Sequence, residues 1–267
     1  DSSTSRGLGD VYKRQTVYCK EITKSTSKNA QTCIKSSEIA KNSVYNRQKK
    51  EKIMIQNANY YQRMEAQLAR IDSENIQHGK KRMLLHCCCA PCSSHCLSVL
   101  AEHFDITAYF YNPNITDCNE YIKRFEELDR FIHEVYVRGV EVELAEHEPE
   151  VFLEMARGRE NLPERGARCY DCYKLRLDKS ASYAKDHGYD IFTTTLSISP
   201  HKNANWLNEI GEEMSRKYDI EYLFSDFKKK DGYRHSIQLS KEYGLYRQNF
   251  CGCEFSRRAA ESRGQIE

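Results

Sequence analysis

The chain has 267 residues, a formal net charge of +2 and 12 cysteines. It contains no run of the roughly 18–20 apolar residues that a membrane span needs, and its amino terminus lacks the apolar core of a secretory signal, so we predict a cytoplasmic protein without membrane contact. Structural disulfides are rare in a reducing cytosol, and this cysteine content therefore indicates metal binding or redox chemistry.

The composition is uneven along the chain. Residues 1–45 are rich in Ser, Thr, Lys and Asn and show little apolar periodicity, so we interpret them as a disordered or non-native leader. We expect residues 46–257 to form a single α/β catalytic domain, because about 200 residues suffice for a substantial core. Residues 258–267 are expected to be a flexible tail.

Strand and helix patterns alternate through the catalytic domain, after a helical stretch at residues 49–71. Strands are predicted at residues 82–86, 106–111, 140–144, 191–197 and 221–224. Helices are predicted at residues 91–103, 117–135, 169–187, 202–218 and 232–243. This alternation implies a mostly parallel sheet covered on both faces, which is a Rossmann-like three-layer α/β/α fold. Functional residues should then gather at the carboxyl ends of the strands.

A group of cysteines follows the first predicted strand. Cys88, Cys89 and Cys92 flank Pro91, a residue well suited to the first turn of a helix. At such a strand-to-helix turn, the free N–H groups and the dipole of the helix stabilise negatively charged sulfur. The sequence therefore predicts a thiolate site at the end of this strand.

A second pair, Cys169 and Cys172, opens another predicted helix, so that both sulfurs can face one centre. With Cys88 and Cys89 the pair can complete a four-thiolate site. Four thiolates suit a [4Fe–4S] cluster or a structural zinc, and ligand identity does not separate the two. A zinc ribbon usually has its two pairs only about 15–20 residues apart, whereas patterned α/β sequence lies between these pairs. Inert core cysteines are the third interpretation.

Cys251 and Cys253 are separated by Gly252, which supplies the backbone freedom that a tight disulfide ring would need. A strained, easily reduced disulfide suits electron relay better than structure. The alternatives are a metal-binding pair and two incidental thiols.

Two polar segments suggest contacts with a substrate. In the loop after the fourth predicted strand, His201 could donate a proton and Lys202 could pair with an anion, although helix capping by Ser199 explains part of the pattern. Residues 228–230 are three lysines that precede Tyr233 and Arg234, a combination that suits phosphate and base contacts but also a solvated face.

Several motifs taken together closely resemble the QueH family of epoxyqueuosine reductases over residues 50–257. They are His86-Cys87-Cys88-Cys89-Ala90-Pro91-Cys92, Tyr111-Asn112-Pro113-Asn114-Ile115, the Cys169/Cys172 pair, Thr194-Thr195-Leu196-Ser197-Ile198-Ser199-Pro200-His201-Lys202-Asn203 and Phe250-Cys251-Gly252-Cys253. The specificity lies in their order and spacing, since no single motif is diagnostic.

The resemblance implies a HUP-type Rossmann-like fold and the reduction of epoxyqueuosine to queuosine at the wobble position of tRNA, without cobalamin, as the last step of queuosine biosynthesis. It also implies that Cys88, Cys89, Cys169 and Cys172 hold a [4Fe–4S] cluster and that Cys251 and Cys253 form a redox-active disulfide. Cys92 would be a ligand of an additional iron ion. An unidentified electron donor would act as a partner beside the tRNA.

Two other interpretations compete with this one. A tRNA-modifying enzyme of the ATP-pyrophosphatase type would need a Ser-Gly-Gly phosphate loop after the first strand, where Cys87 to Pro91 stand instead. A zinc-stabilised RNA-binding module without catalysis would use the same cysteines.

Overall fold

The computed structural model describes residues 59–136 and 138–264. The predicted leader and the start of the helix predicted at residues 49–71 lie outside these residues. In chain order the elements are α1 (Tyr60–His78), β1 (Lys81–His86), α2 (Ala90–Leu100), β2 (Phe104–Phe110), α3 (Cys118–Val135), β3 (Val140–Leu144), α4 (Pro149–Ala156), α5 (Ala167–Asp186), β4 (Ile191–Thr194), a 3-10 helix (Thr195–Ile198), α6 (Ala204–Tyr218), β5 (Glu221–Tyr222), α7 (Gly232–Glu242) and α8 (Glu254–Glu261).

The five strands form one sheet in the order β3-β2-β1-β4-β5, and every neighbouring pair is parallel. In the central strand, Met83 lies opposite Ile106 on one side and Ile191 on the other. The chain adds β2 and β3 to one side of β1 and then crosses to add β4 and β5 to the other side. The order of the strands therefore reverses between β1 and β4, which in open parallel sheets is where ligands bind. The predicted α/β fold class is confirmed.

The alternation of side chains along the strands creates two buried cores, one on each face of the sheet. Met83 and Leu85 of β1 belong to the core that includes residues of α2 and α3, whereas Leu84 belongs to the core that includes residues of α5 and α6. The side chains of all three are fully buried. Burying a side chain of this size contributes roughly 1.5–3 kcal/mol, so the faces of the central strand fix the orientation of the turn that follows it.

The end of β4 differs from the prediction, which extended the strand to residue 197. Thr194 accepts a hydrogen bond from the N–H of Leu196 at 3.2 Å through its hydroxyl, and the chain turns there into the 3-10 helix. The capping expectation for Ser199 is also corrected. The side chain of Asn203 caps α6 by accepting from the N–H groups of Asn205 and Trp206.

Two short helices, α4 and α8, were not predicted. α8 runs from Glu254 to Glu261 and buries Ala260 completely, so the folded part of the chain crosses the boundary expected at residue 257. Within residues 59–136 and 138–264, no helix combines the length and the apolar character needed to cross a membrane.

The outer edge of β5 is covered by a side chain of α1. The Nε2 group of Gln67 donates to the carbonyl of Tyr222, and its Oε1 atom accepts from the N–H of Phe224, both at 3.0 Å. One amide group thus makes the two hydrogen bonds that a further strand would make with β5.

Candidate metal and thiol site

Three cysteine sulfurs lie together where β1 ends. The Sγ atoms of Cys88, Cys89 and Cys92 are all within 4.8 Å of one another, and the Sγ atoms of Cys88 and Cys89 are 3.8 Å apart. Cys88 and Cys89 are buried, and Cys92 is half-buried. We call these residues the three-sulfur group, and its geometry allows it to hold a metal ion.

The start of α2 explains why the three sulfurs converge. Cys89 has extended backbone geometry and is the N-cap residue of the helix, Pro91 lies in its first turn, and Cys92 is its third residue. The Cys89 side chain makes no capping hydrogen bond to the helix. The positive end of the helix dipole is therefore available to negative charge on the sulfurs. From the other side of the switch point, the Thr195 hydroxyl donates to Cys88 Sγ at 3.8 Å.

The thiols of the three-sulfur group differ in how readily they lose a proton. Hydrogen bonds from the Cys89 and Cys92 thiols, with the charges of Lys202 and Arg176 as further causes, hold the pKa of Cys88 well below its usual value. The same hydrogen bond, together with burial, raises the pKa of Cys89 to about 12. A thiolate on Cys88 is thus stabilised by two neighbouring thiols, whose protons a bound metal would displace.

Four further cysteines line one cavity that opens to solvent: Cys169, Cys172, Cys251 and Cys253. We call this the four-sulfur cavity. Cys169 is the third residue of α5, and its Sγ accepts from the backbone N–H of Arg165 at 3.3 Å. Burial raises the pKa of Cys169, and it raises the pKa of Cys172 to about 12. Without a metal, both side chains are therefore neutral thiols at pH 7.

The loop of Cys251 and Cys253 is held by its glycine. Gly252 has φ of +119°, and a Cβ atom there would lie 2.7 Å from Cγ1 of Ile115, so both the backbone and the packing exclude a side chain. Arg124 donates from Nη1 to the Cys251 carbonyl at 3.3 Å. Cys253 is the N-cap of α8, and its Sγ accepts from the Ser256 N–H at 3.4 Å. Both cysteines are free thiols here.

Two cations act on both sulfur groups. Arg176 of α5 is buried and interacts electrostatically with Cys172, Cys251 and Cys88. Burial acts to lower the pKa of Lys202, but the charges of Cys251, Cys88 and Cys92 outweigh it and raise that pKa. The sulfur groups therefore share one electrostatic environment.

The structure distributes the predicted cluster ligands over two places. Cys88 and Cys89 join Cys92, which was predicted as a ligand of an additional iron, while Cys169 and Cys172 join the predicted disulfide pair. Cys169 nevertheless packs against the buried cluster that contains Cys88 and Cys89. Cofactor binding by the four predicted ligands remains a prediction.

His201 lies at the surface beside this site. Its ring Nδ1 accepts a hydrogen bond from Nη2 of Arg165 at 2.6 Å, and Arg165 is the residue whose backbone contacts Cys169. His86, by contrast, is fully buried, and this burial lowers its pKa to about 3. Its Nε2 donates to the Tyr111 carbonyl at 3.0 Å and its Nδ1 accepts from the Thr194 hydroxyl at 2.8 Å.

Residues that the sequence did not single out also line the four-sulfur cavity. Asn114 donates from Nδ2 to the Cys251 carbonyl at 3.5 Å, and its buried Oδ1 has no hydrogen-bond partner in the described part of the chain. Tyr173 and Phe152 supply apolar walls. The position of Tyr173, directly after Cys172 in the sequence, could have indicated that it lies at the site. Asn114 belongs to the Asn-Pro-Asn segment after the second strand, but nothing in that segment indicates which of its residues reaches the cavity.

A parallel sheet with a thiol group that could hold a metal at its switch point, next to a cavity of further thiols, defines a cysteine-based α/β redox enzyme. The family model for epoxyqueuosine reductase QueH matches residues 83–259. The chain belongs to this family and is an oxidoreductase.

Individual relatives agree with the family assignment. The epoxyqueuosine reductase QueH of Staphylococcus epidermidis is 40% identical over 195 residues, which are 71% of this chain and 82% of that protein. The protein of the same name from Streptococcus pyogenes is 40% identical over 200 residues, covering 73% and 77% of the two chains. The Thermotoga maritima protein is 35% identical over 174 residues, covering 65% and 89%.

Proposed function

We propose that this enzyme reduces epoxyqueuosine at the wobble position of tRNA to queuosine, in the cytoplasm and without cobalamin, as the last step of queuosine biosynthesis. The observation that carries the proposal is the pairing of a three-sulfur group that suits a metal with a four-sulfur cavity that contains the Cys251 and Cys253 thiols. Family membership supplies the substrate, which is the compound in the relatives' name.

The thiols of Cys251 and Cys253 can supply the electrons and protons that this reaction consumes. Conversion of an epoxide into an alkene breaks two C–O bonds, consumes two electrons and two protons, and releases the oxygen as water. Oxidation of the two thiols breaks two S–H bonds, forms one S–S bond and supplies those electrons and protons. A single residue separates the two cysteines, and both line the same cavity, which supports this role. The electron donor must then return the pair to the dithiol.

We propose that Cys88, Cys89, Cys169 and Cys172 hold a [4Fe–4S] cluster and that Cys92 is a ligand of an additional iron. The donor set fits, because thiolates are the ligands of such clusters and two cations lie close enough to offset their charge. When bound, this group would transfer electrons singly and, as a Lewis acid, polarise the epoxide oxygen. Tyr173 and Phe152 give the four-sulfur cavity apolar walls.

His201 is our candidate for the proton donor. Because its Nδ1 accepts from Arg165, the ring proton is on Nε2, which can donate to the departing oxygen. Arg165 therefore positions the ring at the surface next to Cys169.

The tRNA contact is proposed at residues 228–230 and at the start of α7. Lys229, Lys230 and Arg234 are exposed, whereas Lys228 is paired with Asp226. A wobble base lies in a single-stranded loop, where cations contact phosphates and planar groups stack on the base. If substitution of all three lysines by Gln leaves tRNA affinity and its salt dependence unchanged, this assignment is wrong.

The testing experiment combines metal analysis with turnover. Protein purified without oxygen is analysed for iron, zinc and absorption, and is then incubated with a chemical reductant and an anticodon stem-loop that contains epoxyqueuosine. We expect about four irons per chain for the cluster, and an iron content above four if the additional iron is bound. The absorption spectrum should show a broad band that reductant bleaches, and the product should be queuosine. Cys169→Ser should lose the band. Stoichiometric zinc, no colour and no product would favour the RNA-binding module instead.

A further inference from the structure

Arg176 is a buried cation with an incomplete set of partners. It lies one helical turn after Cys172 and is 1% exposed. Its Nε donates to the Cys172 carbonyl at 3.4 Å and its Nη1 to Oδ1 of Asn112 at 3.3 Å. Its Nη2 is buried and has no hydrogen-bond partner among residues 59–136 and 138–264. A guanidinium carries a permanent charge, so its position in the core calls for a negative group nearby.

The other buried arginines of the region have different partners. Arg124 forms an ion pair with Glu120 at 2.6 Å, although its Nη2, like that of Arg176, has no hydrogen-bond partner among the described residues. Arg168 donates to the carbonyls of Arg159, Glu160 and Leu162, each at 2.8 Å. Within residues 59–136 and 138–264, neither Arg176 nor Lys202 forms an ion pair with a carboxylate. The groups that raise the pKa of each of them are cysteines and Tyr173.

Arg176 is also connected to both segments that bring cysteines to the site. It contacts the backbone of Cys172 directly, and it reaches the first segment through Asn112, whose Nδ2 donates to the Cys87 carbonyl at 2.9 Å. Lys202 approaches from the loop after the 3-10 helix and is half-buried. The two cations therefore come from different elements and act on the same sulfurs.

We propose that Arg176 and Lys202 are the counter-charges of the sulfur centre, retaining its metal group in the protein and raising its reduction potential. The proposal rests on the proposed function only in that the cysteines hold a metal group. Thiolates give such a group negative charge, and each added electron increases that charge. In a buried site, fixed cations stabilise the more negative form strongly. Both residues act through the metal group and are positioning residues, not catalytic ones.

A stability cycle tests the counter-charge role without measuring turnover. Wild type, Arg176→Met and the control Arg82→Met are each melted metal-free and after anaerobic loading, once with iron and sulfide and once with Zn²⁺. We expect loading to raise the Tm of Arg176→Met by at least about 2 °C less than that of wild type. Arg82→Met removes an exposed cation that donates to the carbonyls of His187 and Gly188, so it should lower the Tm of both forms equally.

The reduction potential supplies the second readout. In an optical redox titration, Arg176→Met should have a lower potential than wild type, and Arg176→Lys, which keeps the charge, should recover most of it. Lys202→Gln should shift the potential in the same direction. It replaces Arg176→Met in the titration if that variant does not fold. Equal gains in Tm on loading, with an unchanged potential, would overturn the proposal. A wild type that shows the coupling but forms no queuosine would refute the proposed function alone.

Discussion

The three-sulfur group and the four-sulfur cavity are built in different ways. The first comes from five consecutive residues, 88–92, at one strand-to-helix turn, and its sulfurs are held by the central strand of the sheet. The second joins the start of α5 to the loop before α8, two segments that are distant in sequence. Local geometry thus creates a compact, mostly buried group suited to holding a metal. Tertiary packing creates an open cavity, in which thiols can meet a substrate and change oxidation state.

Removal of a sulfur from the three-sulfur group should have the largest effect. Cys89→Ser replaces a buried thiol by a poorer iron ligand, and we expect at least about a tenfold loss of bound iron after anaerobic reconstitution. Cys87→Ser is the matched control, because Cys87 is equally buried but its thiol donates to the Leu85 carbonyl instead of joining the group. Equal iron loss in both variants would mean that folding of the turn, and not ligation, is affected.

Removal of a sulfur from the four-sulfur cavity should separate activity from iron binding. Cys251→Ser is expected to abolish turnover with a thiol reductant while iron content stays near that of wild type, since one thiol cannot form the disulfide. Cys118→Ser removes an exposed thiol at the start of α3 and should leave both properties unchanged. Intact turnover in Cys251→Ser contradicts the redox role.

The loop of the four-sulfur cavity should be sensitive to a single methyl group. Gly252→Ala places a side chain at positive φ and against Ile115, and we expect it to lower the free energy of unfolding by about 1–3 kcal/mol. Gly188→Ala also has positive φ, but nothing lies within 4 Å of the added Cβ, so it should cost less. Gly188 has φ of +68°, within the left-handed region that Ala can adopt, whereas φ of +119° at Gly252 lies outside that region. Denaturant titration of both variants therefore measures the added strain and packing cost at Gly252 as their difference. Equal losses would contradict this prediction.

The smallest effect concerns the helix that carries the three-sulfur group. Nδ1 of His95 on α2 is 2.9 Å from Nδ1 of His235 on α7, and burial followed by the charge of His235 lowers the pKa of His95 to about 4. Between about pH 6.5 and pH 4, the unfolded chain binds a proton at His95 that the folded chain does not bind. The free energy of unfolding should therefore fall as the pH decreases through this window.

This loss should be less than about 1.4 kcal/mol per pH unit, because the ring is partly exposed to solvent. His95→Gln should flatten the pH dependence when unfolding by denaturant is measured across the window. A slope that is unchanged in the variant would assign the titration to another group.

The sequence predicted the fold well because its signals are local. The apolar run of β1 and the helical pattern of α2 place the three-sulfur group without any knowledge of the rest of the chain. The predicted end of β4 was wrong because a run of β-branched residues is typical of a strand. In the structure, the Thr194 hydroxyl accepts a hydrogen bond from the backbone, and the chain turns there. α4 and α8 have only eight residues each, too few for a periodic pattern.

The site was predictable only as separate parts. Spacing identified the Cys169/Cys172 and Cys251/Cys253 pairs, but their common cavity depends on how α5 packs against the loop before α8. Arg176 carries a weak signal, its position four residues after Cys172. That no carboxylate among the described residues pairs with it is a property of the packed core, and no local pattern indicates it.

The contacts of Gln67 have a consequence for association between molecules. β5 is two residues long, and its outer backbone groups would be free to pair with a strand of another chain. Because the amide of Gln67 occupies the Tyr222 carbonyl and the Phe224 N–H, this edge of the sheet is closed by the molecule itself. At the β5 edge, a single uncharged side chain thus guards against pairing with another chain, a task that other proteins give to lysines or prolines on the edge strand.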